Sequence, residues 1–546
     1  MSTMIIEAFI WETIMKRRII SCCVVILICF SSLTVKLYSI TKNEELASNN
    51  SSARVKTLGE NPGNIYDRNG EKLVNRTTDS VALIKPTTEN ALLVKSLKGE
   101  EFAEKTVLKG YFTTVELLNG ASIEESESVR IVNTFNRYSD STALHILGYV
   151  DSTGNGVCGV EKYFQKEINL SSGSLSAVYS ADAFNRMLIS EDIEIRDSNY
   201  TTLSGIVLTI DRDIQIIVEN AMKNNNIDKG ACVVMDVNTA EIIAAASTPT
   251  YDRDNLELYL KSTDSPFMNR AFSAFPVGSV FKPVTTIAAL EENIKLTGFV
   301  CKGSIEKSGN TFYCNKRDGH GKCNLKDALS QSCNTYFIEL STEVGGKKLL
   351  KTATELGFSK ATDFGNGYYT DRGTLPTQKE LNSDASVGNL GFGQGKLTAT
   401  PVQIANFFCT LANGGTYREP TLFLGLRNSS GENVYSDINN GVKVIKKSSC
   451  KAVNEALRET AVSGTGKLAK SEYFDIACKT ATAQSGQYGE NGVEKKYCWF
   501  AGFFPYENPK YAICIMKENG VSGGSDGGPV FKEISENIYF LRSNTF

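Results

Sequence analysis

A serine breaks an acyl bond only if something takes its proton, and Ser279-Val280-Phe281-Lys282 places a lysine three residues after a serine. On a helix, residues three apart share a face, so the Lys282 amine can lie beside the Ser279 hydroxyl. Burial and neighbouring cations lower a lysine's pKa enough for it to serve as the base. The pattern alone is weak. A chain of ordinary composition holds on the order of two by chance, and Ser448-Ser449-Cys450-Lys451 is a second copy in a polar, Lys-rich stretch. The first copy follows Pro276-Val277-Gly278 and is expected to open a helix, whose free N–H groups would face a developing anion. Two more elements follow: Ser332-Cys333-Asn334, then Lys479-Thr480-Ala481-Thr482. Ser-x-x-Lys, Ser-x-Asn and Lys-Thr-small in that order form a specific signal where each alone does not. Ser332 and Lys479 can carry protons and hold a carboxylate, and Asn334 can fix a substrate amide. A small residue after Thr480 lets a substrate strand lie close to the backbone.

A second group of residues has metal chemistry. Cys301, Cys314, His320, Cys323 and Cys333 fall in the stretch that leads into the Ser-x-Asn element. Thiolates and an imidazole are zinc-type ligands. Two tetrads are open, both using Cys301, Cys314 and His320; one adds Cys323, the other Cys333. The middle residue of Ser-x-Asn should point away from the cleft, which lets Cys333 anchor that motif from behind. The plainer reading is buried structural cysteines beside an exposed histidine in Gly319-His320-Gly321. Gly391-Phe392-Gly393-Gln394-Gly395-Lys396 is not a phosphate-binding loop. Leu390 stands where that loop needs its first glycine, and Leu397 where it needs Ser or Thr.

The elements that must position these residues come from a chain of 546 residues, too long for one compact domain. Apolar residues are 41% and charged residues 22%, which excludes collagen-like, coiled-coil and wholly disordered chains. Lys plus Arg is 58 and Asp plus Glu 61, a net charge of −3, so no basic surplus exists to bind nucleic acid. With two histidines, His145 and His320, a His-based triad or poly-His metal site has almost nothing to work with. Residues 19–35 carry no charge. At about 1.5 Å per residue they span roughly 26 Å, and Lys36, Leu37 and Tyr38 extend them to the interface. Lys16, Arg17 and Arg18 precede this run, which places the N-terminus in the cytoplasm and the bulk of the chain outside. No A-x-A-like cleavage site follows, so the segment reads as an uncleaved anchor. Fourteen cysteines suggest disulfides outside a cell, yet three lie in the anchor and the other eleven are scattered, so most read as free buried thiols. The expected organisation is a tail at 1–18, a transmembrane helix at 19–38 and a polar linker at 39–62. An α+β pedestal follows at 63–205, and a second domain at 206–546. Strands, then helices, then strands give that last domain a central antiparallel sheet flanked by helices, an α+β class overall.

These motifs and their surroundings resemble the class B penicillin-binding proteins, peptidoglycan D,D-transpeptidases. The resemblance covers nearly everything after the anchor. It runs through Gly63-Asn64-Ile65-Tyr66-Asp67-Arg68-Asn69-Gly70, GVCGVE from Gly156, LTIDRDIQ from Leu208, NRAFSAFPVGSVFKP from Asn269, GFGQGKLTATPVQIA from Gly391 and WFAGFFP from Trp499. It implies that Ser279 is the acyl-ester nucleophile and Lys282 its base, with Ser332 and Asn334 as the second motif. Lys479 and Thr480 would bind the substrate carboxylate, and the N–H groups of Ser279 and Thr482 would form the oxyanion hole. It also implies β-lactams as inhibitors, stem peptides as substrates, and a membrane glycan polymerase with other wall-assembly proteins as partners. Some elongation-type relatives carry a zinc site with a His and this same motif Cys, similar to the tetrad with Cys333; the cluster leans to elongation or sporulation types. The third motif departs from the family's usual Lys-Thr-Gly by Ala481, whose methyl is expected where a donor peptide would approach. That departure leaves room for a β-lactam sensor or a weakly catalytic scaffold. A class D type β-lactamase fits the anchor and long pedestal poorly.

Overall fold

In this computed structural model, residues 2–42, 53–117, 123–436, 440–488, 492 and 494–543 are described. The apolar N-terminal run is helix α1, Ser2–Lys42. Within it Ile14–Tyr38 is long and apolar enough to cross a membrane. The helix is longer than the expected 19–38, and residues 2–18, expected as a tail, continue it. Nothing in that stretch breaks a helix, since neither Pro nor Gly occurs there.

The expected linker at 39–62 needs correction. Residues 39–42 end α1, 43–52 lie outside the described residues, and Ala53–Asn61 is strand β1. Alternate residues of β1 are shielded, as in a half-buried strand. The pedestal boundaries shift as well. One compact unit holds 1–60, 78–134 and 174–200; the other holds 61–77, 135–173 and 201–546. Parts of the expected pedestal therefore fold with the larger unit. Asn64–Tyr66 explains one exchange, because it pairs in parallel with β7, Gly205–Leu208, of that unit.

The first unit is built on two small sheets. Strand β2 (Thr77–Ile84) sits between β3 (Thr113–Leu117) and β4 (Val129–Asn136), and helix α2 (Thr88–Lys98) packs Val94 against this apolar face. Thr87 caps α2 by accepting the Asn90 N–H. Strand β5 (Gly173–Ser180) lies between β1 and β6 (Glu194–Ser198).

The second unit contains a five-stranded antiparallel sheet. Its strands are β8 (Gly230–Asp236), β9 (Ile242–Thr248), β10 (Ala477–Tyr488), β11 (Glu494–Phe504) and β12 (Tyr511–Glu518). The order across the sheet is β9-β8-β12-β11-β10. The inner strands are nearly continuous apolar runs such as ACVVM and AICIM, because helices cover both faces. On one face lie α4 (Lys282–Glu291), α5 (Asn334–Val344) and α6 (Pro401–Ala412). On the other lie α3 (Arg212–Asn224) and α8 (Gly523–Leu541). Helix α7 (Lys447–Val462) contributes to both cores. Helix starts are encoded locally: Asp211 accepts the Ile214 N–H ahead of α3, and Thr400 and Gln403 form a capping box ahead of α6.

One buried contact ties the sheet to the chain before Ser279. Trp499 on β11 is fully buried and its indole Nε1–H donates to the Pro276 carbonyl at 2.8 Å. The Trp499→Phe variant keeps most of the apolar volume but orphans that carbonyl. It is expected to lose about 1–3 kcal/mol of stability, read as a lower thermal melting temperature.

Candidate active site

Three segments far apart in the chain meet at strand β10. Gly278–Phe281 is a short 3₁₀ turn that runs directly into α4, so Ser279 sits one turn before the helix instead of within it. Ser332 precedes α5 with φ +57°, a left-handed conformation that costs a non-glycine residue about 1–2 kcal/mol. Cys333 is the N-cap of α5 and Asn334 its first residue. Lys479, Thr480, Ala481 and Thr482 lie in register with Ala501, Phe500, Trp499 and Cys498 of β11. Alternation along β10 sends Lys479 and Ala481 toward the α4 face and Thr480 and Thr482 toward the α8 face.

Both lysines are fully buried. Lys282 Nζ donates to the Ser332 carbonyl (2.7 Å), the Ser332 hydroxyl (3.1 Å) and Asn334 Oδ1 (2.7 Å). Lys479 Nζ donates to the same hydroxyl at 3.0 Å and to the Thr480 carbonyl at 2.9 Å. The Ser332 oxygen thus accepts from two amines, which leaves its own proton free to point into the cleft. No carboxylate lines this cleft among the described residues. Burial therefore works against both charges. It holds Lys282 well below the ordinary lysine range, helped by the charge of Lys479, and lowers Lys479 to about 7.

The expected direct bond between Ser279 and Lys282 is not formed. An ammonium has three protons, and those of Lys282 are taken by the three acceptors just named. Losing one proton gives the amine a lone pair and removes one of those bonds, and only then can it accept from Ser279. The half-buried Ser279 opens onto a cleft of about 440 Å³. Its lining brings together Ser332, Asn334, Thr480, Ala481 and Thr482, with Lys282 and Lys479 buried behind them. Ser448, the decoy, lies on α7 and does not line it.

Ala481 lines the cleft, as the sequence places it, and also packs toward the turn before Ser279. Its methyl is 4% exposed, and a Cβ built on Gly278 would come within 3.3 Å of it. The methyl thus fills space left by a glycine in the turn before Ser279, which itself needs φ +66°.

Sequence reasoning missed several cleft residues. Thr465, whose hydroxyl lies 2.6 Å from that of Thr480, enters from the loop after α7. Asn315, Phe392, Gln394 and Ser522–Gly524 complete the lining. For most of them the sequence signal is glycine: Gly464 and Gly466 flank Thr465, Gly393 and Gly395 flank Gln394, and Gly523-Gly524 follow Ser522, whereas Asn315 follows Cys314.

Behind the second motif the structure gathers Cys301, Cys314, His320 and Cys333, with their ligand atoms within 4.8 Å of one another. Cys323 is buried nearby but is not in that group. The three cysteines are buried and His320 is half-buried, unlike the exposed histidine of the plainer reading.

The packing gives one prediction. Gly278→Ala puts a methyl against Ala481 and Ala483 at a left-handed position. It is expected to slow acylation of Ser279 at least tenfold by a fluorescent penicillin, whereas Ala481→Gly leaves the rate within about threefold.

A family model described as the penicillin-binding protein transpeptidase domain matches residues 230–536. Stage V sporulation protein D of Bacillus subtilis is 26% identical over 509 residues, covering 87% of this chain and 77% of that protein. The peptidoglycan D,D-transpeptidase MrdA of Haemophilus influenzae is 26% identical over 586 residues, covering 90% and 86%. Among solved structures, penicillin-binding protein 3 of Mycobacterium tuberculosis, complexed with aztreonam, superposes with a TM-score of 0.63 at 22% identity, covering 90% of this chain and 98% of that one. The family match spans more than half of the 546 residues and contains every residue of the three motifs, and so the chain belongs to the penicillin-binding protein transpeptidase family.

Proposed function

We propose that the protein is a membrane-anchored, serine-type peptidoglycan D,D-transpeptidase. The observation that carries this reading is the meeting of Ser279, Lys282, Ser332, Asn334 and Lys479 at one cleft, which no carboxylate lines among the described residues. Neutral Lys282 takes the Ser279 proton as Oγ attacks the carbonyl of the penultimate D-Ala in a stem peptide. The N–H groups of Ser279 and Thr482 stabilise the oxyanion. The C–N bond breaks and the terminal D-Ala leaves with a proton passed through Ser332. Lys479 and Thr480 hold its carboxylate, and Asn334 fixes the peptide amide. An acceptor amine from a second stem peptide then attacks the ester, forms the cross-link and returns the proton to Ser279. β-Lactams acylate the same serine and stay attached.

The sensor or scaffold reading rested on Ala481. Its methyl packs on Gly278, which supports an intact site instead. The anchor and the long segment before the transpeptidase domain fit a class D type β-lactamase poorly. By the residues before the anchor, the N-terminus is cytoplasmic and the cleft outside. The family resemblance supports a membrane glycan polymerase and other wall-assembly proteins as partners.

Cys301, Cys314, His320 and Cys333 form a donor set suited to zinc. At about 2.3 Å per Zn–S bond, a tetrahedral site spaces its sulfurs roughly 3.8 Å apart, and Cys314 Sγ and Cys333 Sγ lie 3.8 Å apart. Zinc would supply structural cross-linking only, fixing the N-cap of α5 and with it Ser332 and Asn334.

Three measurements test these readings. Intact-mass spectrometry after penicillin treatment is expected to give a single adduct on Ser279, absent in Ser279→Ala; an adduct at Ser448 or none at all overturns the transpeptidase reading. The pH profile of acylation is expected to rise as Lys282 loses its proton and to fall above about pH 7, where Lys479 loses its charge. Lys479→Met removes a charge that disfavours protonated Lys282, so its rising limb moves to higher pH. Elemental analysis is expected to find one zinc per chain, lost in Cys333→Ser together with several degrees of melting temperature.

A further inference from the structure

Helix α8 begins at the cleft, and its first turn carries an acidic side chain that does not face substrate. Asp526 has a side chain 10% exposed. Its Oδ2 accepts the backbone N–H of Val521 at 2.7 Å and of Ser522 at 2.8 Å. Its Oδ1 accepts from Lys517 Nζ at 3.1 Å. The carboxylate therefore folds the 520–522 turn back onto the helix that follows it. The Ser522 hydroxyl adds a smaller clasp by accepting the Ser525 N–H at 3.2 Å.

What this turn carries lies at the reaction centre. Ser522, Gly523 and Gly524 line the same cleft as Ser279. The Gly523 N–H donates to the Thr482 hydroxyl at 3.4 Å. A Cβ on Gly523 would meet the Ala481 carbonyl at 2.4 Å and the Trp499 carbonyl at 2.1 Å, so the helix start rides directly on the backbone of the third motif. The sheet register completes the picture. Thr482 pairs with Cys498, and Cys498 pairs with Lys517, which forms one row across β10, β11 and β12. Asp526 grips the far end of that row through Lys517, and Gly523 meets its near end at Thr482.

We propose that Asp526 is a positioning residue for acyl transfer. Its two backbone bonds hold the start of α8 on Thr482 and so fix the N–H of Thr482 toward the oxyanion. This rests on the transpeptidase reading above. A group that aligns an oxyanion donor acts on the transition state more than on the bound substrate, so its loss lowers the rate constant and spares the binding constant.

The test uses the full-length protein in detergent and stopped-flow acylation by a chromogenic cephalosporin, which separates the dissociation constant from the acylation rate constant. Asp526→Ala is expected to slow acylation ten- to a hundredfold while the dissociation constant changes less than threefold. Asp526→Asn keeps a carbonyl oxygen for both N–H groups and loses only the Lys517 pair; it is expected to stay within about threefold of wild type. If Asp526→Ala gives no cooperative melting transition, Asp526→Ser takes its place with the same expectation. Wild-type kinetics in both variants, a loss confined to the dissociation constant, or equal slowing by Asn and Ala each overturn the proposal. Failure of the transpeptidase reading is seen separately, as wild-type protein that forms no Ser279 adduct.

Discussion

Two amines buried side by side, with no carboxylate lining their cleft among the described residues, dominate this molecule. Lys282 and Lys479 both donate to the Ser332 oxygen, and among the described residues neither pairs with a carboxylate. In a low-dielectric interior such a pair resists carrying two charges. The protein thereby keeps one amine ready to lose its proton without using a histidine. Everything around the cleft serves that arrangement: the left-handed backbone at Ser332 points its oxygen at both amines, the cap at Cys333 starts α5 on time, and β10 delivers Lys479 from the opposite side.

The same constraint explains why Ser279 and Lys282 do not touch here. A charged amine spends its protons on Ser332 and Asn334, and only the neutral amine has a lone pair to offer. The resting hydrogen-bond pattern and the reactive one differ by a single proton. Motif spacing within a helix puts the two residues near each other, but the competing acceptors come from a loop fifty residues later and are invisible to that argument.

Much of the site was legible because its chemistry is carried by uncommon residue types in a fixed order. Ser279, Lys282, Ser332, Asn334, Lys479 and Thr480 announce themselves as a set. Cys301, Cys314, His320 and Cys333 did so too, because thiols and an imidazole clustered just ahead of the second motif. Thr465, Gln394 and Asn315 did not, since neutral polar side chains occur in any loop. The second contact of Ala481 was hidden for a different reason. Strand alternation gives the face a side chain takes, but not that Gly278 would stand opposite it. The boundaries of the smaller unit differ because Asn64–Tyr66 pairs with β7 and residues 135–173 pack Ile146, Leu147 and Phe164 into the larger core, which local composition does not reveal.

The strand order carries one last consequence. β12 is the final strand in sequence yet it lies in the middle of the sheet, between β8 and β11. Until it is in place, no strand pairing joins the early hairpin of β8 and β9 to the late hairpin of β10 and β11 that carries Lys479. Loop-closure entropy makes such distant pairing slow. The sheet that carries Lys479 is therefore completed only by a strand that follows it in the chain. A cut between Phe504 and Tyr511 leaves two hairpins with no strand pairing between them.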